Sequence, residues 1–413
     1  MVSETVSGTS FFGWRVVAGT FVLAVFGWGL GFYGPPVYLH AVQEARGWSV
    51  ALVSTAVTVH FLVGAIVVAN LPALYRRFGL PAVTKGGAVV LALGVLGWAL
   101  AREPWELLLA TLLSGAGWVA MGAAAVNAII APWFVLKRPA ALATAYNGAS
   151  IGGVVFSPLW VAAIAAFGFP VAAAVIGGVM VVVIWLLADL VFSRTPQSTG
   201  QMPDGEPAGA PSAAITATAQ ALPGRLLWRD RAFLTLATAM ALGLFAQIGL
   251  IAHLFSLLVP ALGEQAAGIL MGLATASAIA GRTLVGWLMP AGSDRRLIAC
   301  ASLLVQIAGS VILMLAAGSE VALLIAGVLL FGAGIGNTTS LPPLIAQVEF
   351  TRADVQRVVP LIVAIGQGTY AFAPAVFGAL RTLSLTGATW VFAAAAIVQV
   401  LAMAAFLVGR RRA

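Results

Sequence analysis

Apolar runs long enough to cross a bilayer recur along this chain, separated by short polar breaks. A spanning helix needs ~20 apolar residues. By that rule the pattern predicts twelve spans in two sets of six. The first set covers about 14–40, 50–73, 83–101, 105–131, 139–167 and 169–192. The second covers about 232–259, 264–289, 296–317, 320–347, 355–383 and 386–408. Between them lies Ser193 to Asp230, rich in Pro, Gly, Ser, Thr and Ala, whose front part is expected to be a disordered linker. Its end, Arg225-Leu226-Leu227-Trp228-Arg229-Asp230-Arg231, mixes basic and apolar residues and predicts a short helix on the membrane surface. The expected organisation is an N-terminal unit over 1–192, a linker with a surface helix over 193–230, and a C-terminal unit over 231–413.

Composition agrees. The chain is 61% hydrophobic and 8% charged, where a soluble globular chain carries roughly 25% charged residues. The reading is an all-α membrane protein of twelve transmembrane helices, with the lipid bilayer as its first partner. The net charge of +8 does not indicate nucleic acid, because the basic residues fall mostly in short loops. Arg76, Arg77, Lys85, Lys137, Arg138, Arg194, Arg225, Arg229, Arg231, Arg295, Arg296, Arg352, Arg357 and the tail Arg410-Arg411-Arg412 share one side. Arg46, Arg102 and Arg381 lie on the other. The rich side is expected to be cytoplasmic, which puts both termini and the linker in the cytoplasm of a cell whose inner membrane holds the chain. The opening residues are polar, and no cleavable signal peptide is expected ahead of so long a first run. The single cysteine, Cys300, reads as a small buried hydrophobe.

The two sets repeat each other. Span four reads Gly117-x4-Gly122-x4-Asn127-x4-Pro132, and span ten reads Gly327-x4-Gly332-x4-Asn337-x4-Pro342. Span five carries Gly152-x3-Phe156-x-Pro158, and span eleven carries Gly368-x3-Phe372-x-Pro374. Duplicated six-helix halves with a site near the midplane are a transporter architecture. The same glycines also serve close helix packing.

These residues, with Gly13-Trp14-Arg15-Val16-Val17 opening span one, Pro132-Trp133-Phe134 closing span four, Arg138-Pro139-Ala140-Ala141-Leu142-Ala143 opening span five and Gly281-Arg282 in span eight, carry a resemblance. Over nearly its whole length the chain resembles the major facilitator superfamily, and it is more closely similar to the monocarboxylate transporter and oxalate:formate antiporter branch. The resemblance implies two pseudo-symmetric six-helix bundles that rock between alternating-access states. It also implies small carboxylates as passengers, often with a proton, and a monomer. Three departures stand out. The loop Pro72-Ala73-Leu74-Tyr75-Arg76-Arg77-Phe78-Gly79 lacks the acid usual there in the superfamily. Ala278 stands where animal monocarboxylate carriers have an Asp, and Tyr33, Pro35 and Pro36 occupy the region of their span-one Lys. Gln367 and Tyr370 lie where the oxalate exchanger has a second cation, and one cation argues against a dicarboxylate.

Arg282 leads the candidate binding residues. It lies well inside an apolar run with no acid beside it in sequence, and a charge there costs ~2.5–3.5 kcal/mol on the mild insertion scale. Its planar guanidinium matches a carboxylate with two parallel hydrogen bonds. Snorkelling is the alternative, across ~12 Å of helix to Pro290. Tyr33, Asn127, Tyr146, Asn337, Gln367 and Tyr370 are expected to line the same cavity, by resemblance, with Asn147 and Gln247 nearby and Trp28 and Trp118 as walls. With no mid-membrane acid, His60, His253 and His40 are the candidates for proton coupling, each weighed against a packing role. Their spacing suggests no metal site, and no cofactor is expected. Asp189 and Glu349 read as solvated surface charge or as gate latches with Arg194 or Arg352. Pro35-Pro36 is expected to kink span one.

The function expected is secondary transport of a small organic monoanion, monocarboxylate-like and proton-coupled. Efflux of a drug, metalloid or amphipathic metabolite is the alternative. An enzyme is not expected, since Walker-A, His-Glu-x-x-His and Gly-x-Ser-x-Gly motifs are lacking.

Overall fold

The computed structural model describes residues 11–205, 224–290, 292–383 and 389–410. The expected opening residues before Phe11, the middle of the linker and the last tail arginines lie outside that set. Twelve helices are long and apolar enough to cross a membrane. They are Gly13–Arg46, Val50–Phe78, Leu80–Leu100, Pro104–Ile130, Arg138–Phe167 and Phe169–Phe192, then Arg231–Leu262, Glu264–Leu288, Arg295–Leu315, Val321–Glu349, Arg357–Thr382 and Thr389–Val408. They are called spans one to twelve below. Among the described residues there is no strand, as lipid demands of a chain that must satisfy its backbone within each segment.

Three spans are broken, and local chemistry accounts for the breaks. Span one ends its first helix at Gly31 and restarts at Gly34, because Pro35 and Pro36 have no N–H to offer the carbonyls four residues earlier. Span four stops at Trp118, and its chain tightens into three-residue turns before Gly122 opens the next helix. Span eleven stops at Tyr370 and restarts at Ala373, with Pro374 in the first turn. The repeat does not carry the breaks across. Span ten is one helix through Gly332, Asn337 and Pro342, and span five is one helix through Pro158.

What the repeat does conserve is packing. A methyl group added at Gly117 would lie 2.3 Å from the Leu91 nitrogen in span three. One added at Gly327 would lie 2.7 Å from the Leu313 side chain in span nine. Both glycines let a helix backbone approach its neighbour, which is how membrane helices associate without a hydrophobic drive.

The base of the C-terminal half is tied by Arg296. Read from sequence as a loop residue, it is 1% exposed. Its guanidinium donates to both Glu349 carboxylate oxygens, at 2.6 and 2.8 Å, and to Thr235 Oγ1 and the Ala232 and Phe406 carbonyls. That joins spans seven, nine, ten and twelve. Glu349 is therefore a largely covered structural partner and not solvated surface charge. Asp189 pairs with Lys85, not Arg194.

The front of the linker also departs from expectation. It is folded onto the N-terminal half. Gln201 Oε1 accepts from the Phe12 N–H at 2.9 Å. The Asp204 carboxylate accepts from the N–H groups of Val135, Leu136 and Lys137 at 2.8–3.0 Å, and the Asp204 N–H donates to the Trp133 carbonyl. Burial pushes the Asp204 carboxyl up, but these amides outweigh it and hold the group below its ordinary value. Asp204 has φ +61, a conformation that Asp tolerates better than most residues. At the other end of the linker, Gly224–Leu227 is a short helix leading into span seven.

Candidate functional site

The two halves meet unevenly. At the end of the molecule away from the linker, called the far end, spans five and eight pack on small residues. A methyl group at Gly268 would meet Val161 at 2.8 Å, one at Gly272 the Val154 carbonyl at 2.9 Å, and one at Gly153 the side chains of Thr275 and Tyr33 at 2.7 Å. Spans two and eleven meet there too. Thr58 Oγ1 accepts from the Ala375 N–H at 3.0 Å, and Gly378 leaves room for Ser54. The outer piece of span one packs on span seven. Toward the basic end the contacts between the halves thin, and the inner piece of span eleven meets span two far less than its outer piece does. The halves are packed together at the far end and joined more loosely toward the basic end.

Arg282 sits just below that closure. It is seven residues past Thr275, ~10 Å of helix toward the basic end. Its Nε is buried with no hydrogen-bond partner. A methyl group added at Gly336 in span ten would lie 2.8 Å from Nε and 3.1 Å from Nη2. Its electrostatic neighbour across the halves is Tyr33, placed at the break in span one. The side chain thus faces span ten and span one, not lipid.

Aromatic rings continue the wall from Tyr33. Phe32 stacks edge-on with Tyr33 at 5.0 Å, Phe61 lies 6.1 Å from Phe32, and Tyr370 in span eleven lies 5.7 Å from Phe61. Gln367 lies one turn from Tyr370 on the same half-buried face. Trp118 joins the Phe32 ring at 6.4 Å. Tyr146 and Asn127 form a separate pair nearer the basic end, at 2.6 Å, both bonded to the Ala123 carbonyl and edged by Trp28. Asn337 is 3% exposed with Oδ1 unpartnered. It adjoins Gly336 and so lies one residue from the Arg282 contact.

The three histidines part ways. His60 Nε2 meets the Gly31 carbonyl at 2.9 Å, so Nε2 carries the proton. Nδ1 then accepts from Ser114 Oγ at 2.8 Å, and Trp98 donates to the same oxygen. His253 Nε2 likewise donates to the Pro374 carbonyl at 2.9 Å, while Arg381 donates to Ser256 at 2.7 Å and approaches His253 Nδ1. Both rings join helices with both nitrogens engaged. His40 Nε2, by contrast, is buried without a hydrogen-bond partner. Among the described residues no cluster of His, Cys, Asp and Glu could hold a metal ion.

A family model for the Major Facilitator Superfamily matches residues 17–374. The chain belongs to this superfamily. "MFS-type transporter 1" of Ophiocordyceps sp. (strain BCC 1869) is 30% identical over 190 residues, 44% of this chain and 41% of that protein. The chain therefore spans less than half the length of that relative. Among solved structures, a D-xylose-proton symporter superposes with a TM-score of 0.76 at 13% identity, covering 96% of this chain and 97% of its own. The nucleoside transporter NupG gives 0.72 at 13%, covering 97% and 100%. A bacterial homolog of the lysosomal transporter Spinster, inward-facing and occupied, gives 0.72 at 14%, covering 97% of each chain. At these identities the likeness establishes the fold.

Residue types alone did not single out Thr275, Phe61, Gly153 or Gly336. Thr275, Phe61 and Gly153 earn their places by what lies across the interface between the halves, and Gly336 by its contact with Arg282. The one hint available is that Gly153 and Gly336 neighbour residues already singled out in the glycine frames of spans five and ten.

Proposed function

We propose that this superfamily member carries a small organic monoanion, monocarboxylate-like, by alternating access, with Arg282 as the anion-binding group. The observation that carries this reading is the Arg282 Nε, buried and unpartnered beside Gly336 and facing Tyr33. A buried guanidinium nitrogen left without an acceptor is costly, and a carboxylate passenger supplies the acceptor. Tyr33, Asn337, Tyr370 and Gln367 supply the remaining polar contacts, and Phe32 and Phe61 the apolar wall that a small organic body needs. Asn127 and Tyr146 form a polar station closer to the basic end. Because His60 and His253 have both ring nitrogens committed to helix-joining bonds, the proton travels with the passenger in this reading. The excess of basic residues at one end supports reading that end as the cytoplasmic face of an inner membrane, and the looser contact there supports an inward-facing state. The two halves, 1–192 and 231–413, are the rocking bodies, and the monomer is the working unit.

The chain of rings from Phe32 to Tyr370 supports a second reading, efflux of an amphipathic metabolite. A thermal-shift screen of the purified protein separates the two. Small monocarboxylates, dicarboxylates and neutral amides of matched size are tested across pH. A ligand that binds the folded state raises its stability by RT ln(1 + [L]/Kd). The monoanion reading expects shifts with monocarboxylates and none with matched amides. Shifts that ignore the carboxylate reject it.

A further inference from the structure

The far end is sealed by a largely apolar seam, and among the described residues one ion pair crosses it. His40, on the outer piece of span one, lies with Nε2 3.6 Å from Glu264 Oε1 at the start of span eight. The two residues belong to opposite halves. The distance exceeds a hydrogen bond, and His40 Nε2 is buried with no other partner. The contact stands in a cavity of about 440 Å³ whose walls are Val161, Ile164, Phe169, Phe255 and Trp98. The Phe255 ring holds the imidazole edge-on at 5.3 Å.

We propose that His40 and Glu264 form a pH-sensitive latch that holds the far end shut when the solution on that side is acidic. A neutral imidazole at this place has little to offer a carboxylate. A protonated one gains a charge-assisted bond from one half to the other. Histidine is the side chain whose charge changes between about pH 5 and 8 when unperturbed. The contact between the protonated ring and the carboxylate exists only while the halves are closed. Closure is therefore favoured as pH falls and released as pH rises.

The other charged groups of the cavity, Glu44 and Arg46, lie on the same helix as His40 and are exposed. From span seven, His253 faces Pro374 and Arg381 instead. The carboxylate facing His40 from the other half is Glu264. Glu264 is half-exposed, so the proton arrives from the far-end solution and leaves to it. The latch regulates the cycle without contributing to net proton movement. It rests on alternating access but not on the passenger, so a failed uptake assay and a failed latch are separate results.

The test is a spin-label distance measured by double electron–electron resonance on the full chain in nanodiscs. Labels go on the exposed positions Ala45 and Gln265 in a Cys300→Ser background. Lowering pH from about 8 to about 5.5 is expected to raise the ratio of short to long distances roughly two- to five-fold. His40→Gln and Glu264→Gln are each expected to flatten that response. His40→Lys, a permanent cation, is expected to hold the short distance at every pH. Glu44→Gln is expected to leave the response intact. A wild-type distribution that ignores pH overturns the proposal. So does a response that survives both His40→Gln and Glu264→Gln, or one that Glu44→Gln alone abolishes.

Discussion

His60 Nε2 donates to the carbonyl of Gly31 at 2.9 Å, the carbonyl that Pro35 leaves without a helical donor. In an unbroken helix the residue four positions on supplies that N–H. Proline cannot, and a histidine from span two fills the place. Nδ1 is held by Ser114, and Ser114 by Trp98. The break in span one that positions Tyr33 is thus supported from behind by span two and span four.

His60→Ala should leave the Gly31 carbonyl and Ser114 short of partners and cost roughly 1–3 kcal/mol. The midpoint of thermal unfolding in matched detergent checks this and should fall. His60→Gln keeps a donor and should recover part of the loss. In neither variant should the pH profile of residual transport move, because both ring nitrogens are committed to structure.

Glu349→Gln should destabilise the C-terminal half by roughly 3–5 kcal/mol, since it leaves the Arg296 charge buried without its counter-ion. The double change Arg296→Met with Glu349→Leu removes both charges and should cost less than the single change. Thermal unfolding of the two variants ranks them. The reverse order would mean that Arg296 is held by the Ala232 and Phe406 carbonyls and Thr235 more than by the acid.

Asp204→Ala should release the front of the linker from the loop that joins spans four and five. Hydrogen exchange at the amides of Val135, Leu136 and Lys137 should speed up by roughly tenfold, the effect of losing about 1.4 kcal/mol of protection. The same release should follow from acid. The folded carboxyl is held below its ordinary value, so its contribution is complete above the unfolded value, about 3.9, and is lost as pH falls through the lower folded value. Protection of these amides, corrected for intrinsic rates, should therefore hold at neutral pH and collapse only in strong acid.

The twelve spans were legible because each must bury its own backbone hydrogen bonds, so length and hydropathy alone give them away. The break in span one was legible in Pro35-Pro36. The break at Val119 to Gly122 was not, because nothing there forbids helix. Gly27 approaches Met121 so closely that a methyl group would lie 2.8 Å from its carbonyl, and that meeting occurs only in the folded bundle. Arg296 looked like a loop residue because it stands at the start of a run, yet Glu349 lies 53 residues away in the chain. Asp204 sat in a stretch whose composition suggests disorder, and composition does not register one carboxylate matched to three amides. Arg282 was legible as a charge in an apolar run. Which helices face it was not, since Gly336 and Tyr33 reach it from opposite halves.

Uptake into proteoliposomes shows whether Arg282 holds the passenger's negative charge. The monocarboxylate that gives the largest thermal shift is the probe, with Arg282→Ala and Arg282→Lys beside the unaltered protein. Loss of a charge-assisted pair worth about 1.5–3 kcal/mol lowers affinity roughly 10- to 150-fold. Arg282→Ala should show that loss while still inserting and folding, and Arg282→Lys should recover only part of it because the bidentate fork is gone. Uptake by Arg282→Ala with unchanged apparent affinity for the anion would mean that the charge is held elsewhere.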